Sequence, residues 1–444
     1  MDRAQLLIEQ YFTVREGELC VDGVSVSDIA RQFGTPLFIY DSSVLDRKWV
    51  TLRQTLPEAF EIYYSVKANP NRTIIRHFLQ KGAGLEIASS GEFHQAIQAG
   101  CEPGRILFAG PGKTEAELEL VLKAGIGEIH VESPVEADRI SVISRRFGIK
   151  ARVSLRINPS AEAQGGAMRM GGKPAAFGVD EEQSDELIDR LTSDACMDFQ
   201  GIHLFAGTQV LDDAVLAAQY NKGVDIARHI ATRIGRPLHT VDFGGGLGIP
   251  YFLKDHELNV TSLAQRLVDL MERVTGDPSF SGTRFVVEPG RYLVGESGIY
   301  VTRVIDVKVS RGKTFVIVDG GMQHHLAASG NLGQTIKRNY PIALVNRVAD
   351  SPTVTADLVG PLCTPLDTLG RDVEMPPPQI GDLVGIFQSG AYGLTASPMA
   401  FLSHPIPAEV FVHAGEPCLI RARGSYSDLP LDPSTSCSSG ARPR

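Results

Sequence analysis

Three groups in this sequence have the residue types and positions that chemistry at the end of a strand would need. The first is Lys67, which follows the apolar run FEIYYSV directly and precedes the turn residues ANPN. Catalytic groups in a barrel of parallel strands project from the carboxyl ends of the strands, so this amine stands at a position for chemistry. A lysine that is merely solvated at a strand end is the alternative.

The second group is a glycine triplet, Gly244, Gly245 and Gly246, in VDFGGGLGIPY. Glycines after an apolar run leave no Cβ in the way, so their backbone N–H groups could approach a phosphate. A tight turn between a strand and a helix would show the same triplet.

The third group is EPGR, where Glu288, Gly290 and Arg291 place a carboxylate, a flexible backbone and a guanidinium at one strand end. A carboxylate beside the pyridine nitrogen of pyridoxal 5'-phosphate (PLP) would keep that nitrogen protonated, which makes the ring the electron sink that loss of CO2 demands. A surface ion pair is the alternative.

Further polar residues follow other apolar runs. HLFAGTQ supplies His203, an aromatic face at Phe205 and the hydroxyl of Thr208, which suit a wall for ring stacking and one phosphate donor. His203 taken alone is equally a core histidine. Glu86 and Arg156 end two more runs, and we predict that they form an ion pair at the end of the barrel where the carboxyl ends of the strands meet. A purely structural ion pair is the alternative.

The elements that position these residues follow one pattern from about residue 60 to about residue 290. Short apolar runs alternate with stretches of helical period, such as SGEFHQAIQAG, KTEAELELVLKAG and VLAAQYNKGVDIARHIATRIG, which is typical of repeated βα units. The eight runs end at or surround Val66, Glu86, Gly110, His130, Ile157, Phe205, Phe243 and Glu288. Eight units favour a closed (β/α)8 TIM barrel, although an open doubly wound α/β sheet would give a similar local pattern.

The rest of the chain reads differently. After Glu288, strand-like runs without long helices predict a C-terminal β domain over 286–420, following a barrel over 44–285. Residues 1–43 are expected to join that β domain from the N-terminal side. The Ser/Pro-rich stretch 421–444 is expected to be disordered.

Composition excludes several classes of function. The net charge is -9 and no long Lys/Arg run occurs, so nucleic acid is not an expected partner. No segment has the roughly 18 apolar residues of a membrane span and no cleavage site follows the N-terminus, so we expect a cytoplasmic protein. Six scattered cysteines predict neither disulfides nor a metal site.

Seven motifs together resemble one family. YYSVKANP, EIASSGE, HLFAGTQ, DFGGGLGIPY, VEPGRY, GPLCTPLD and QSGAYG occur in the order found in the fold-type III PLP decarboxylases, which include the diaminopimelate, ornithine and arginine enzymes. The resemblance covers about residues 30–415. It implies an alanine racemase-like barrel, a β domain, PLP as cofactor and a homodimer whose two active sites lie at the subunit interface.

The resemblance also implies roles. Lys67 would carry PLP as a Schiff base, with Glu288 at the pyridine nitrogen. The phosphate would be bound by Gly244 to Gly246, Thr208, the backbone at Gly290 and Arg291, and Tyr392. Cys363 would reach into the site of the partner subunit and help to return a proton, and Asp367 belongs to the same loop. Substrate contacts would come from Arg291, Cys363, Thr364 and Tyr392.

Three departures from the family pattern bear on the substrate. Phe205 stands where diaminopimelate and ornithine decarboxylases resemble each other in having a histidine. Thr364 replaces an acidic residue for the distal ammonium of a diamino acid, and Ala327 replaces an arginine for the distal carboxylate of diaminopimelate. Diamino substrates therefore become less favoured.

These departures, with GGAMRMGGKPAAFG, resemble a branch that contains decarboxylases of aminoacyl groups on acyl-carrier proteins and decarboxylases associated with exosortase systems. A glutamyl thioester on a carrier protein is the favoured substrate. A free diaminopimelate or other amino acid decarboxylase, a racemase and a silent PLP-binding protein are the alternatives. Glu288 argues against the racemase, because racemases of this fold resemble one another in pairing the pyridine nitrogen with arginine. Arg169, Lys173 and Arg338 are candidate contacts for a substrate carboxylate or a carrier surface.

Overall fold

The structure is a computed structural model that describes residues 2–160, 168–169, 174–205, 207–334 and 336–426. Its N-terminal part is a helix, a small three-stranded antiparallel sheet, and a strand between two helices. These elements are α1 Arg3–Tyr11, β1 Thr13–Arg15, β2 Glu18–Val21, β3 Val24–Ser25, α2 Val26–Phe33, β4 Leu37–Asp41 and α3 Ser42–Thr55.

The middle part alternates strands and helices. The elements, in order, are β5 Phe60–Ser65, α4 Arg72–Gln80, β6 Gly84–Ile87, α5 Ser90–Gln98, β7 Ile106–Phe108, α6 Glu115–Ala124, β8 Glu128–Val131, α7 Pro134–Phe147, β9 Ala151–Asn158, β10 Met168–Arg169, β11 Val179–Asp180, α8 Ser184–Ser193, β12 Met197–Leu204, β13 Gly207–Thr208, α9 Asp213–Ile234, β14 Thr240–Asp242, α10 Val260–Val274, β15 Arg284–Val287 and α11 Arg291–Val294.

Eight of these strands close a parallel barrel in the order β9, β12, β14, β15, β5, β6, β7 and β8, among the residues described. The pairing of β8 with β9, with Ile129 opposite Val153, closes the ring. β11 extends the sheet beside the end of β9. The predicted TIM barrel is therefore confirmed, and the open doubly wound sheet is excluded because both edges are paired.

The helices around the barrel begin and end where local chemistry predicts. Thr114 and Glu117 form a capping box at the start of α6, and Gly125, with φ 78°, ends that helix in the left-handed region. Gly235 ends α9 in the same way. The three helical segments predicted from periodicity correspond to α5, α6 and α9.

The last part is mostly β. Its strands are β16 Gly298–Ser310, β17 Lys313–Val318, β18 Ile342–Leu344, β19 Val354–Val359, β20 Thr368–Met375, β21 Leu383–Ile386, β22 Ala408–His413 and β23 Glu416–Arg421. They form one sheet, in which β4 of the N-terminal part lies between β16 and β22. Short 3-10 turns lie at Val66–Ala68, Pro103–Arg105, Glu181–Gln183, Pro278–Phe280, Gly295–Ser297, Leu394–Ala396 and Phe401–Ser403.

Two segment limits differ from the sequence-based expectation. β15 runs to Val287, two residues past the predicted end of the barrel, because Val287 pairs with Ile62 of β5. β23 includes Arg421, and Arg423 donates to the carbonyl of Pro36, so the predicted disorder does not begin at 421. Residues 427–444 of that predicted tail lie outside the described residues. Within the described ranges, no helix has the length and apolar character that a membrane crossing requires.

Candidate active site

Lys67 lies at the mouth of the barrel, two residues past the end of β5 at Ser65, in the short 3-10 turn Val66–Ala68. Its side chain is 45% exposed, and its Nζ donates to both carboxylate oxygens of Glu86 at 2.9 Å. Glu86 is buried on β6, the neighbouring strand, and also accepts from the hydroxyl of Ser65 at 2.5 Å. The strand order therefore gives the lysine a fixed anionic partner.

This partner sets the charge of the lysine. Burial lowers the pKa of Lys67, but the Glu86 carboxylate outweighs burial, with Tyr392 and Glu288 adding to it, and the pKa lies above its ordinary value. The amine is therefore a protonated cation at neutral pH until something displaces the charge pair.

Glu288 directly follows β15 and is 5% exposed. Its Oε2 lies 3.3 Å from Nε2 of His203, which is one residue before the end of β12 and is 2% exposed. Burial raises the pKa of Glu288, but His203, His130 and Lys67 outweigh it and hold the pKa below the ordinary value. Burial lowers the pKa of His203 to about 4, so the imidazole is neutral at neutral pH. The sequence alone was equally compatible with a core histidine at this position. In the structure, His203 is buried and contacts the carboxylate of Glu288.

The glycine triplet forms a turn with no room for side chains. Gly244 has φ 68°, and a Cβ there would meet the carbonyl oxygen of Leu204 at 2.4 Å. A Cβ on Gly245 would meet the carbonyl oxygen of Glu288 at 2.7 Å, and one on Gly246 the carbonyl oxygen of Gly207 at 3.1 Å. Three glycines are required here because three backbone segments converge at the barrel mouth.

Arg291 begins the short helix α11 beyond Gly290. Its Nη1 donates to the hydroxyl of Tyr251 at 2.9 Å, and its guanidinium lies 4.6 Å from the ring centre of Tyr392. Burial lowers the pKa of Arg291, but the three tyrosines near it, Tyr251, Tyr392 and Tyr340, outweigh burial and raise it. Gly290 packs so closely that a Cβ would meet that of Ala68 at 2.9 Å.

Tyr392 belongs to the β domain but contacts the barrel mouth. Its backbone N–H donates to the carbonyl of Ala68, the residue after Lys67, at 2.8 Å, and its φ is 53°. The β domain thus supplies one aromatic wall beside the lysine.

The predicted ion pair of Glu86 with Arg156 is wrong. Arg156 donates instead to Glu132 at 2.7 Å, and Glu86 is paired with Lys67. The reason is strand order, because β7 and β8 separate β6 from β9, whereas Glu132 directly follows β8 beside β9. The guanidinium of Arg156 also lies 5.9 Å from the ring centre of Phe205, which packs against the glycine turn.

The loop between β19 and β20 carries the residues expected to face the substrate. Cys363 is exposed, and the Thr364 hydroxyl accepts from the Leu366 N–H of the same loop at 3.3 Å. Asp367 is 2% exposed and shapes the loop, since its carboxylate accepts from the N–H groups of Leu362 and Met322. Among the described residues, Cys363 and Thr364 make no hydrogen bond or ion pair with the barrel mouth of the same chain.

The remaining candidates lie in other places. Ala327 is 5% exposed in the segment after β17, and Thr208 is half-buried in β13, which pairs with β10. Arg169 belongs to β10, and Lys173 lies outside the described residues. Arg338 stacks on Phe252 at 3.6 Å, at the edge of a cavity of about 620 Å³.

Comparison with known proteins decides the family. The model of the family described as "Pyridoxal-dependent decarboxylase, pyridoxal binding domain" matches residues 42–295. This chain belongs to the pyridoxal-dependent decarboxylases. It is a PLP-dependent lyase, as the seven motifs predicted.

Individual relatives span nearly the whole chain. The L-glutamyl-[BtrI acyl-carrier protein] decarboxylase of Niallia circulans is 38% identical over 92% of this chain and 96% of that protein. The diaminopimelate decarboxylase of Aquifex aeolicus is 34% identical over 96% and 97%. A crystal structure of diaminopimelate decarboxylase from Helicobacter pylori complexed with L-lysine matches with a TM-score of 0.82 at 30% identity, covering 91% of this chain and 98% of that one.

The side chains at the mouth of this decarboxylase fit PLP. Oε1 of Glu288 and Nε of Arg291 are buried and have no hydrogen-bond partner among the described residues. The exposed amine of Lys67 stands beside them, and the glycine turn exposes backbone where a Cβ would intrude. A carboxylate, an amine and an open backbone turn are the groups that a pyridinium ring, an aldehyde and a phosphate require.

Several residues of this decarboxylase site were missed in the sequence. Glu132 accepts from Arg156 and from the N–H groups of Gly110 and Gly178, and His130 and Asp242 lie beneath Glu288. The signal was present in the alternation of EIHVE, where every second residue is polar and ionisable in an otherwise apolar strand. Alternating residues of a barrel strand face the interior, so this pattern indicates a polar interior near the mouth.

Proposed function

We propose that this decarboxylase removes the α-carboxylate of a glutamyl-like aminoacyl group that is attached to a carrier protein. The observation that carries the proposal is the absence of a charge at the two positions where the diamino acid enzymes would use one, Thr364 and Ala327. The 38% identity to a decarboxylase of a glutamyl group on an acyl-carrier protein supports it.

The chemistry of such a substrate explains neutral residues. The α-carboxylate must be free because it departs as CO2, so the link to the carrier can use only the side-chain carboxyl of glutamate. An acylated distal end has no charge. A neutral hydroxyl and a methyl group suit it, whereas an ammonium or carboxylate would be buried there without a partner.

The cofactor would be held by the mouth residues. Lys67 would bind it covalently, Glu288 would accept from the ring nitrogen, and Phe205 would stack on the ring. The phosphate would be bound by the glycine turn, Thr208, Arg291 and Tyr392. PLP supplies the electron sink that accepts the electrons of the breaking bond to the carboxylate.

The chain itself contributes positioning and proton transfer. Glu86 and Glu288 flank Lys67 and balance its charge, and Arg156 is fixed by Glu132 behind Phe205. Because its pKa is low, Glu288 stays negatively charged at neutral pH at the inner end of the barrel mouth. Lys67 would hold PLP in the absence of substrate, and with a substrate bound its amine would be available to hold or transfer a proton.

The return of a proton to Cα would involve a second subunit. Cys363 is exposed on the β19–β20 loop, and the residues described at the mouth include no cysteine of the same chain. We propose a homodimer in which Cys363 of the partner subunit completes each site and Thr364 lies beside the distal end of the substrate.

A substrate panel tests the proposal. The holoenzyme is incubated with glutamyl carrier protein and with free diaminopimelate, ornithine, lysine, arginine and glutamate of both hands, and released CO2 is measured. Lys67→Ala serves as the inactive control. Lys123→Ala, which removes a surface lysine that pairs with Glu119 and lies over the ring of Phe147, is the matched control that should keep full activity.

The outcomes separate the alternatives. CO2 from the tethered substrate alone supports the proposal. Brisk turnover of free diaminopimelate would show that the substrate assignment is wrong, and the 34% identity to a diaminopimelate decarboxylase makes this the rival to test first. A cofactor absorbance band that depends on Lys67, without CO2 from any substrate, would favour the silent PLP-binding protein.

A further inference from the structure

A second layer of ionisable side chains closes the barrel beneath Glu288. His130 of β8, His203 of β12 and Asp242 of β14 are 0%, 2% and 0% exposed. Each of these three side chains and Glu288 has a nitrogen or oxygen atom that lies within 4.8 Å of such an atom in the other three. The interior of such a barrel is ordinarily filled by branched apolar residues, so a buried ionisable layer at this depth has a cost that function must offset.

The carboxyl groups of Asp242 and Glu288 cannot both be ionised, because like charges this close and buried repel each other strongly. Glu288 faces His203 and receives the field of Lys67, which favour its charged form. Asp242 faces Glu288, Glu128, His130 and Tyr220, and burial and then Glu288 raise its pKa well above the ordinary value. The proton of the pair therefore belongs to Asp242.

The hydrogen bonds favour Oδ2 as the oxygen of Asp242 that carries the proton. Oδ1 of Asp242 accepts from the N–H of Gly244 at 2.8 Å, so it acts as an acceptor. Oδ2 has no hydrogen-bond partner among the described residues, and neither does Oε1 of Glu288. The Glu288 N–H in turn donates to the carbonyl of Gly244 at 2.8 Å. Asp242, the glycine turn and Glu288 are thus joined into one unit.

We propose that Asp242 is a positioning residue for the cofactor: its neutral carboxyl directs the Oδ2 proton to Glu288, leaves Glu288 as the single negative charge of the pair, and anchors the glycine turn through Oδ1. One side chain then couples the two ends of the cofactor site, the carboxylate for the ring nitrogen and the turn for the phosphate. The inference rests on the proposed roles of Glu288 and of Gly244 to Gly246.

Two substitutions at Asp242 test this in the holoenzyme. Asn has the shape of a neutral aspartic acid, with one acceptor and one donor, so Asp242→Asn should keep the visible absorption band and the rate of cofactor loss on dilution within about twofold. Ala removes both hydrogen bonds, so Asp242→Ala should lose cofactor roughly tenfold faster or more and shift the band, as expected for hydrogen bonds to a charged group.

Two more variants separate this role from structure alone. Val241→Ala alters the next residue of β14, a fully buried side chain on the opposite face, and should lower thermal stability without shifting the band. Glu288→Gln should shift the band by itself. If Glu288→Gln leaves the band unchanged, the proposed role of Glu288 is wrong, and this inference is wrong with it.

Other outcomes overturn the role of Asp242 only. A shift by Glu288→Gln with no change in Asp242→Ala would show that Asp242 does not act on the cofactor. Equal losses in Asp242→Asn and Asp242→Ala would show that a charged aspartate is required. A stoichiometric metal ion in the purified holoenzyme, lost in both variants, would show that the layer is a metal site instead.

Discussion

The barrel mouth and the β19–β20 loop differ in how their functional side chains are held. At the mouth, Lys67 is paired with Glu86 and Arg156 with Glu132. On the loop, Cys363 is exposed and Thr364 bonds only to its own loop. Lys67 and Arg156 at the mouth therefore have anionic partners within one chain, whereas the described residues show no hydrogen bond from Cys363 or Thr364 to the mouth of the same chain.

This difference follows from the environment of each region. Ionisable groups inside the barrel must be paired because burial without a partner costs several kcal/mol. A surface loop has no such constraint, so its residues can change with the substrate while the loop shape is kept by the buried Asp367. The same barrel can thus serve several substrates with one cofactor chemistry.

The sharpest test of this contrast mixes two inactive variants. Lys67→Ala alters the mouth and Cys363→Ala alters the loop, and each alone should reduce CO2 release by about 100-fold or more. If each site takes its lysine from one subunit and its cysteine from the other, dimers that contain one copy of each variant have one intact site. Random mixing should then restore about a quarter of the wild-type activity.

The mixing experiment requires its own control. The control mixes Lys67→Ala with Glu86→Ala, which places both defects at the mouth. This mixture should recover about a quarter of the wild-type activity if a site takes these two residues from different subunits. It should recover none if a site takes both residues from one subunit. Since Lys67 and Glu86 are in contact within one chain, we expect no intact site in the mixed dimer. Failure of the first mixture to recover activity would contradict the shared site.

The next largest effect should come from the glycine turn. Gly244→Ala adds a Cβ at φ 68° that would lie 2.4 Å from a backbone oxygen, so the turn must move. We expect a loss of about 1–3 kcal/mol in the free energy of unfolding and weaker cofactor binding, measured by thermal unfolding with and without PLP. Gly276→Ala is matched, with φ 79° and nothing within 4 Å, and should show the backbone strain alone with normal cofactor binding.

A smaller effect is expected from the charge pair at the mouth. Burial lowers the pKa of Lys67 and Glu86 raises it, so Glu86→Gln leaves burial unopposed by its nearest charge and the pKa falls. Capture of PLP by the apoenzyme needs the neutral amine, so its pH midpoint should move to lower pH by about one unit or more. Stopped-flow absorbance measures this.

The matched control for the charge pair is Glu117→Gln, which neutralises a carboxylate on α6 that accepts from the N–H of Ser90 at 3.0 Å and from the N–H of Thr114 at 3.1 Å. Its capture midpoint should stay near that of the wild type. An unchanged midpoint in Glu86→Gln would mean that the pair does not set the charge of the lysine.

Much of this site could be predicted from the sequence because its residues directly follow apolar runs. Lys67, Glu288 and the glycine triplet all stand at strand ends, and the eight strands themselves were predicted before closure could be seen. Which strands are adjacent in the barrel, and so which side chains contact each other, could not be predicted from the sequence. Glu86 and Arg156 end strands that are not adjacent, and only the strand order shows that each has a different partner.

The residues that escaped prediction lie one layer deeper. Asp242 precedes the glycine triplet by two positions, and His130 lies in the middle of a strand, where a polar side chain has no meaning until the barrel is closed. Their charges depend on one another through space, and a single sequence contains no distances. The alternation of polar residues indicates that the interior is polar, but not which carboxyl keeps the proton.

The smallest predicted effect lies at the loop and tests the substrate. Thr364→Glu would place a carboxylate beside the distal end of the substrate, where it attracts an ammonium and suits a neutral thioester less well. We expect kcat/KM for free lysine or ornithine, relative to the tethered glutamyl substrate, to rise by about threefold, the value of a partly exposed ion pair. Thr353→Glu adds the same charge at an exposed position before β19 and should leave the ratio unchanged. A ratio that does not move in Thr364→Glu would mean that the loop of either subunit does not meet the distal end of the substrate, and the neutral hydroxyl could no longer support the choice of a tethered substrate.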